Sequence, residues 1–214
     1  MTRDTNALIA DLADDLQPVT PLRFSSGIGY ALAALAVTVA LVGTLRGFPA
    51  DLGAGRMDAL FLLTTGLYLL LGIASAVAVI AMSRPHVGSD HGGWRWAAAM
   101  AALLPLTAAI VALGASAEAA QATRLADDID CLIAGAAWGT ISFGMLIWWL
   151  RRGAPTSPER AGLVAGLAAG SLGTFAYSLH CPIGDIVHVG LWHGAAVALF
   201  ALFGRISVPR LVRW

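Results

Sequence analysis

The chain has 214 residues, 58% of them hydrophobic and only 12% charged, with a formal net charge of zero and a mean hydropathy of +0.76. A soluble domain of this length carries roughly twice that share of charge, so a water-soluble globule is excluded. The apolar residues run in continuous blocks without period-2 alternation, which excludes a membrane β-barrel as well.

Six blocks reach the roughly 17–25 residues that span a bilayer: about 27–45, 57–82, 96–114, 132–150, 161–179 and 186–204. In lipid the backbone must satisfy its own hydrogen bonds, and a continuous apolar segment does so as a helix. The expected fold is therefore all-α, a polytopic membrane protein with six transmembrane helices. Residues 1–24 form a short cytoplasmic arm and residues 25–214 the membrane domain. The first 24 residues are polar and acidic, without the basic start and apolar core of a cleavable signal peptide.

Within the arm, "DTNALIADLADDLQPVTPL" (residues 4–22) repeats Leu8, Leu12 and Leu16 every four residues, with Ile9 widening the stripe. That spacing predicts an amphipathic helix, capped by Asp4 or Thr5 and ended by Pro18. Its other faces carry Asp11, Asp14 and Asp15. Helices that lie on a membrane surface are normally basic, because the inner leaflet is anionic. An acidic leucine helix suits a groove on a basic protein instead, and proteins that bind nucleic acid are an obvious class of such partner. The plain alternative is a solvated leader.

All 13 positive charges are arginines. With a cytoplasmic N-terminus, Arg3, Arg23, Arg84, Arg95, Arg151, Arg152, Arg160, Arg205, Arg210 and Arg213 fall inside, and only Arg46, Arg56 and Arg124 fall outside. This layout satisfies the positive-inside rule and puts both termini in the cytoplasm. Trp148 and Trp149, just before Arg151 and Arg152, suit the interface. The inner loop 83–95 carries His86 and His91, read as solvated loop residues. Pro105 is expected to kink the third span. In the fifth, Gly162, Gly166 and Gly170 lie four apart and line one face for close helix packing, within the bundle or, alternatively, in a homodimer.

The two cysteines of the chain, Cys131 and Cys181, both fall on the outer side of this topology. Cys131 opens the fourth span after "DDID", and Cys181 sits in "YSLHCPIGD" between the fifth and sixth. That side is oxidising in a bacterial envelope. Three readings compete: a structural disulfide, a redox or thiol-reactive sensor pair, and a soft-metal site drawing on His180, His188, Asp130 or Asp185. The spacing of His180 and Cys181 matches no established zinc motif. His188 lies within a turn of the outer surface. His193 lies about 12 Å deep and is read as a neutral imidazole bonded to Tyr177, Ser178 or Ser171. An i, i+5 pair on an α-helix is separated by roughly 140°, so His188 and His193 are not expected to share an ion. No metal ligand set and no cofactor are assigned.

Three passages together resemble the NrsF-type six-helix membrane anti-sigma factors. They are "LIADLADDLQPVTPLRF", "GSLGTFAYSLHCP" with the later "WHG", and Cys131 at the outer end of span four. The likeness covers the whole chain. It implies that the arm sequesters an extracytoplasmic-function sigma factor and keeps it from RNA polymerase, with no direct contact to nucleic acid. Cys131 and Cys181 would be the sensors of an oxidant or heavy metal, with Asp130, His180, Asp185 and His188 as neighbours. Leu8, Ile9, Asp11, Leu12, Asp14, Asp15 and Leu16 would form the sigma-binding face. The expected location is the bacterial inner membrane, with the cysteines on the periplasmic side.

Two other classes remain on sequence grounds. A membrane thiol oxidoreductase would need a relay of cysteine pairs, and two cysteines make only one disulfide. A metal- or heme-binding membrane protein would rest on the histidines. No nucleophile–base pair, phosphate loop or carboxylate pair supports a hydrolase, so the chain is not expected to be an enzyme.

Overall fold

The computed structural model describes residues 4–14, 21–85, 93–114 and 125–212. Eight helical elements follow in order: α1 (Thr5–Asp14), α2 (Phe24–Leu45), the single turn α3 (Ala50–Gly53), α4 (Ala59–Met82), α5 (Gly93–Gly114), α6 (Leu125–Arg152), α7 (Pro158–Ser178) and α8 (Ile186–Leu211). No strand occurs among the described residues. Among the described residues, five helices, α2, α4, α6, α7 and α8, are long and apolar enough to cross a bilayer. The third predicted span falls on α5, whose apolar stretch Arg95–Val111 is shorter than the other five.

Two boundaries differ most from those expected. Helix α6 starts at Leu125, seven residues before its apolar block, so Cys131 lies inside a helix rather than at its outer start. The cause is electrostatic: Asp127 and Asp128 occupy the first turn of α6, where the helix dipole favours negative charge, and Arg151 and Arg152 end it. Helix α8 continues past its apolar block to Leu211, carrying Pro209 within it.

Helix α7 is the axis of the bundle and is enclosed for most of its length by α4, α6 and α8. Its sequence explains why. Residues 161–176 are mostly Ala, Gly, Ser and Thr, so neighbouring backbones can approach closely. A β-carbon at Gly166 would collide with the carbonyl of Phe200 in α8, and one at Gly170 would sit 2.8 Å from the Val197 Cα. Gly162 and Gly204 meet in the same way across the two helices. The glycine stripe is thus used inside the bundle.

At the end carrying Arg84, Arg151 and Arg152, the Trp149 indole is buried and donates to Ser83 Oγ at 3.1 Å. The Ser83 carbonyl accepts from the Ala154 N–H at 2.8 Å, which ties the α4 and α6 termini together. Trp149 is therefore a core residue, not the interfacial one expected. Trp148 keeps the interfacial character, with the Arg152 guanidinium 3.9 Å above its ring.

Helix α1 stands apart from this core. Asp4 caps it, accepting from the Asn6 N–H at 3.0 Å, and none of its residues is buried. Leu8, Ile9 and Leu12 are 42%, 58% and 62% exposed. Asp15, Leu16 and Pro18 of the predicted arm lie outside the described residues, as do His86, His91, Arg3, Arg124 and Arg213.

Candidate functional site

At the end of the bundle opposite Trp149, three chain segments converge: the second turn of α6, the α7–α8 connection and the first turns of α8. Each is held by local chemistry. The Tyr177 carbonyl accepts from both the His180 and Cys181 N–H groups, at 2.9 and 3.1 Å, and so closes α7. Pro182 follows and has no N–H to donate to a further helical turn. Asp185 then caps α8 by accepting from the His188 N–H at 2.8 Å.

These constraints bring the two sulfurs together. Cys131 and Cys181 are both buried, and their Sγ atoms lie 3.5 Å apart. Tyr177 Oη is 3.9 Å from Cys131 Sγ and donates to Asp130 Oδ2 at 3.4 Å. The bond shared with Cys131, and then burial, push the Cys181 thiol above the ordinary thiol range.

Two histidines complete the cluster. His188 turns Nδ1 to the buried carboxylate of Asp128 and Nε2 to Cys181 Sγ, 3.6 Å away. His193 is 1% exposed, with Nδ1 3.0 Å from Ser178 Oγ and no protein partner for Nε2. The expected bond to Ser178 is therefore present. One donor atom from each of Cys131, Cys181, His188 and His193 lies within 4.8 Å of all the others.

The sequence-based angle between the histidines does not hold. Residues Val189–His193 form a π-helical turn, which closes in about five residues and so brings residue i+5 back over residue i. The two imidazole centroids are 5.2 Å apart. A π turn leaves backbone groups to be satisfied from outside, and Tyr68 of α4 donates to the Val189 carbonyl at 2.9 Å. Gly190 within the turn meets Leu104 and Ala108 of α5, where a β-carbon would lie 2.7 Å from the Leu104 carbonyl oxygen. Close beneath, Gly194 faces the Pro105 ring.

The other expected neighbours take separate places. His180 Nδ1 points away from the sulfurs to the Gly47 carbonyl, 2.9 Å distant in the α2–α3 connection. Asp185 is a helix cap, and Asp130 reaches the cluster only through Tyr177. Asp128 was not singled out by sequence, although it belongs to the same "DDID" run; nor was His193 placed with the thiols. The usable signal was the pairing of an i, i+5 histidine repeat with a Gly-x-x-x-Gly segment, Gly190 to Gly194, that admits a close neighbour.

Comparison with known proteins gives a consistent picture. Residues 12–214 match the family model described as "NrsF: Negative regulator of sigma F". A protein of Caulobacter vibrioides named "Anti-sigma-F factor NrsF" is 30% identical, over 98% of this chain and 97% of its own length. A protein of Azospira oryzae named "Probable anti-sigma-F factor NrsF" is 26% identical, over 100% of this chain and 99% of its own. No solved structure matches.

Proposed function

Because the chain belongs to the NrsF family of negative regulators of sigma F, we propose that it is a membrane-bound anti-sigma factor whose arm holds a sigma factor at the cytoplasmic face. The observation that carries this reading is the family match, which begins within α1 and runs to the last residue. Its regulatory character supports a non-enzymatic role. The partner is an extracytoplasmic-function sigma factor, and the location is the bacterial inner membrane with both termini inside.

The arm is the binding element. Its leucines and isoleucine are exposed in α1 and bury nothing of the bundle, so they are free to anchor in a groove. Asp11 and Asp14 flank that stripe and supply charge for a basic partner. Asp15 and Leu16, outside the described residues, complete the proposed sigma-binding set. A ten-residue helix is marginal alone in water and gains its order on docking.

Cys131 and Cys181 are the sensor. They lie on the periplasmic side, and their proximity lets one oxidant or one thiophilic ion act on both sulfurs. Either event joins α6 to the α7–α8 connection more tightly. Helix α7 carries that change toward the cytoplasmic end, because it packs against α4, α6 and α8 along its length. The arm then loses affinity and the sigma factor leaves. A coupling of about 1–3 kcal/mol corresponds to roughly a 5–150-fold change in binding.

Capture tests the tether directly. Full-length protein in mild detergent and a version lacking residues 1–22 are each used to capture partners from the native cytosol. A sigma factor retained only by the full-length protein is the expected result. Its retention by both versions would move the binding site to the inner loops, and its absence from both would overturn the anti-sigma reading.

A further inference from the structure

We propose that Cys131, Cys181, His188 and His193 form a tetrahedral site for one soft, divalent d10 cation of the zinc and cadmium class. The inference goes beyond the anti-sigma reading and stands without it, since ion binding is measured on the purified protein alone.

Three independent observations converge on this site. The first is spacing. In a tetrahedral zinc site with bonds of about 2.3 Å to sulfur and 2.05 Å to nitrogen, two sulfurs lie about 3.8 Å apart and a sulfur and a nitrogen about 3.6 Å. The Cys131–Cys181 sulfurs are 3.5 Å apart and the Cys181 sulfur lies 3.6 Å from His188 Nε2. All four donor atoms fall within 4.8 Å of one another.

The second is orientation. Metal-bound histidines characteristically give their other ring nitrogen to a carboxylate or another polar group, which fixes tautomer and direction. Here both do so: His188 Nδ1 is held by Asp128 and His193 Nδ1 by Ser178. The nitrogen left over in each ring is Nε2, and in His193 that atom is buried without a protein partner. A buried polar atom without a partner carries a substantial cost, which coordination to an ion removes.

The third is the backbone. An ordinary α-helix would carry the two imidazoles to different faces, and the π turn at Val189–His193 brings them to one. Tyr68 and Gly190 support that turn from α4 and α5. A π turn costs hydrogen-bond geometry and is frequent at functional sites.

The donor set selects the ion. Two thiolates with two imidazoles suit zinc and its softer congener cadmium, whereas magnesium and calcium demand oxygen ligands. The charge also balances. The cation displaces one proton from each thiol, and two thiolates neutralise its two charges, so the enclosed site carries no net charge from ion and ligands. Two protons are released to solvent.

The test uses the full-length, tag-free chain in lipid nanodiscs. It is titrated with Co2+ as a spectroscopic probe and then loaded with Zn2+ for X-ray absorption at the zinc edge. One Co2+ per chain, with the intense d–d bands of a tetrahedral thiolate complex, is expected, as is a zinc shell of two sulfurs and two nitrogens. Cys131→Ser, Cys181→Ser and His193→Gln should each weaken binding by more than the roughly 10–100-fold that loss of a supporting hydrogen bond costs. His193→Gln should leave two thiols that still form a disulfide on oxidation, which separates ion binding from thiol chemistry. Because wild-type protein carries the edge measurement, poor folding of a variant does not decide the outcome. No cobalt bands, a shell of sulfur and oxygen without imidazole, or affinity unchanged in the serine variants would overturn the proposal.

Discussion

Asp128 shows how much a single side chain can matter at a site it does not enter. It is buried near the start of α6, and its carboxylate holds the Nδ1 side of His188. Asp128→Asn keeps the shape and removes the charge. Its Co2+ affinity is expected to fall about 10–100-fold, while the thiols of Cys131 and Cys181 remain titratable; competition with a chromophoric chelator measures the first. Wild-type affinity in that variant would make Asp128 a packing residue only. At this scale the sequence was informative about the thiols and poor about their partners. Two cysteines in a chain of this length draw attention by rarity, and their common side follows from the arginine layout. Asp128 is one of three aspartates in four residues, and which of them turns inward depends on helical phase. His180 adjoins Cys181 in sequence yet faces Gly47, because the chain turns between them.

At the scale of elements, small residues and one irregular turn set the architecture. Gly166 has no room for a side chain against the Phe200 carbonyl of α8. Gly166→Leu must separate α7 from α8, with an expected loss of about 1–3 kcal/mol or more. Chemical unfolding in detergent reads it, and stability within 0.5 kcal/mol of wild type would contradict the close packing. The π turn invites a sharper experiment. Tyr68→Phe removes the hydrogen bond that the Val189 carbonyl accepts from α4. The bundle should still assemble, judged by gel filtration and helical circular dichroism, and Co2+ affinity should fall about 10–100-fold. Wild-type affinity would show that the π turn does not need this support. Helix positions were legible in the sequence because lipid demands long apolar runs. The early start of α6 was not, since three aspartates read as a loop until the helix dipole is counted. The π turn was hidden for a different reason: it depends on Tyr68, Leu104 and Ala108, which come from other helices.

Across the whole molecule, the arm and the thiol cluster belong to opposite ends of the bundle, and a switch needs them to be coupled. Helix α7 is the continuous packed element between them, and α2, which follows the arm, contacts α6 and α7. Equal affinity of the arm for its partner in both states of the cluster would mean no switch, however tight the binding. The most direct measurement is therefore the affinity of the captured sigma factor for the full-length protein in nanodiscs, before and after oxidation of the thiols. The same titration is made on the Cys131→Ser/Cys181→Ser variant. A roughly 5–150-fold loss of affinity is expected on oxidation of the wild-type chain, and none in the variant. Equal affinity in the two states of the wild-type chain, or an equal loss in both proteins, would contradict it.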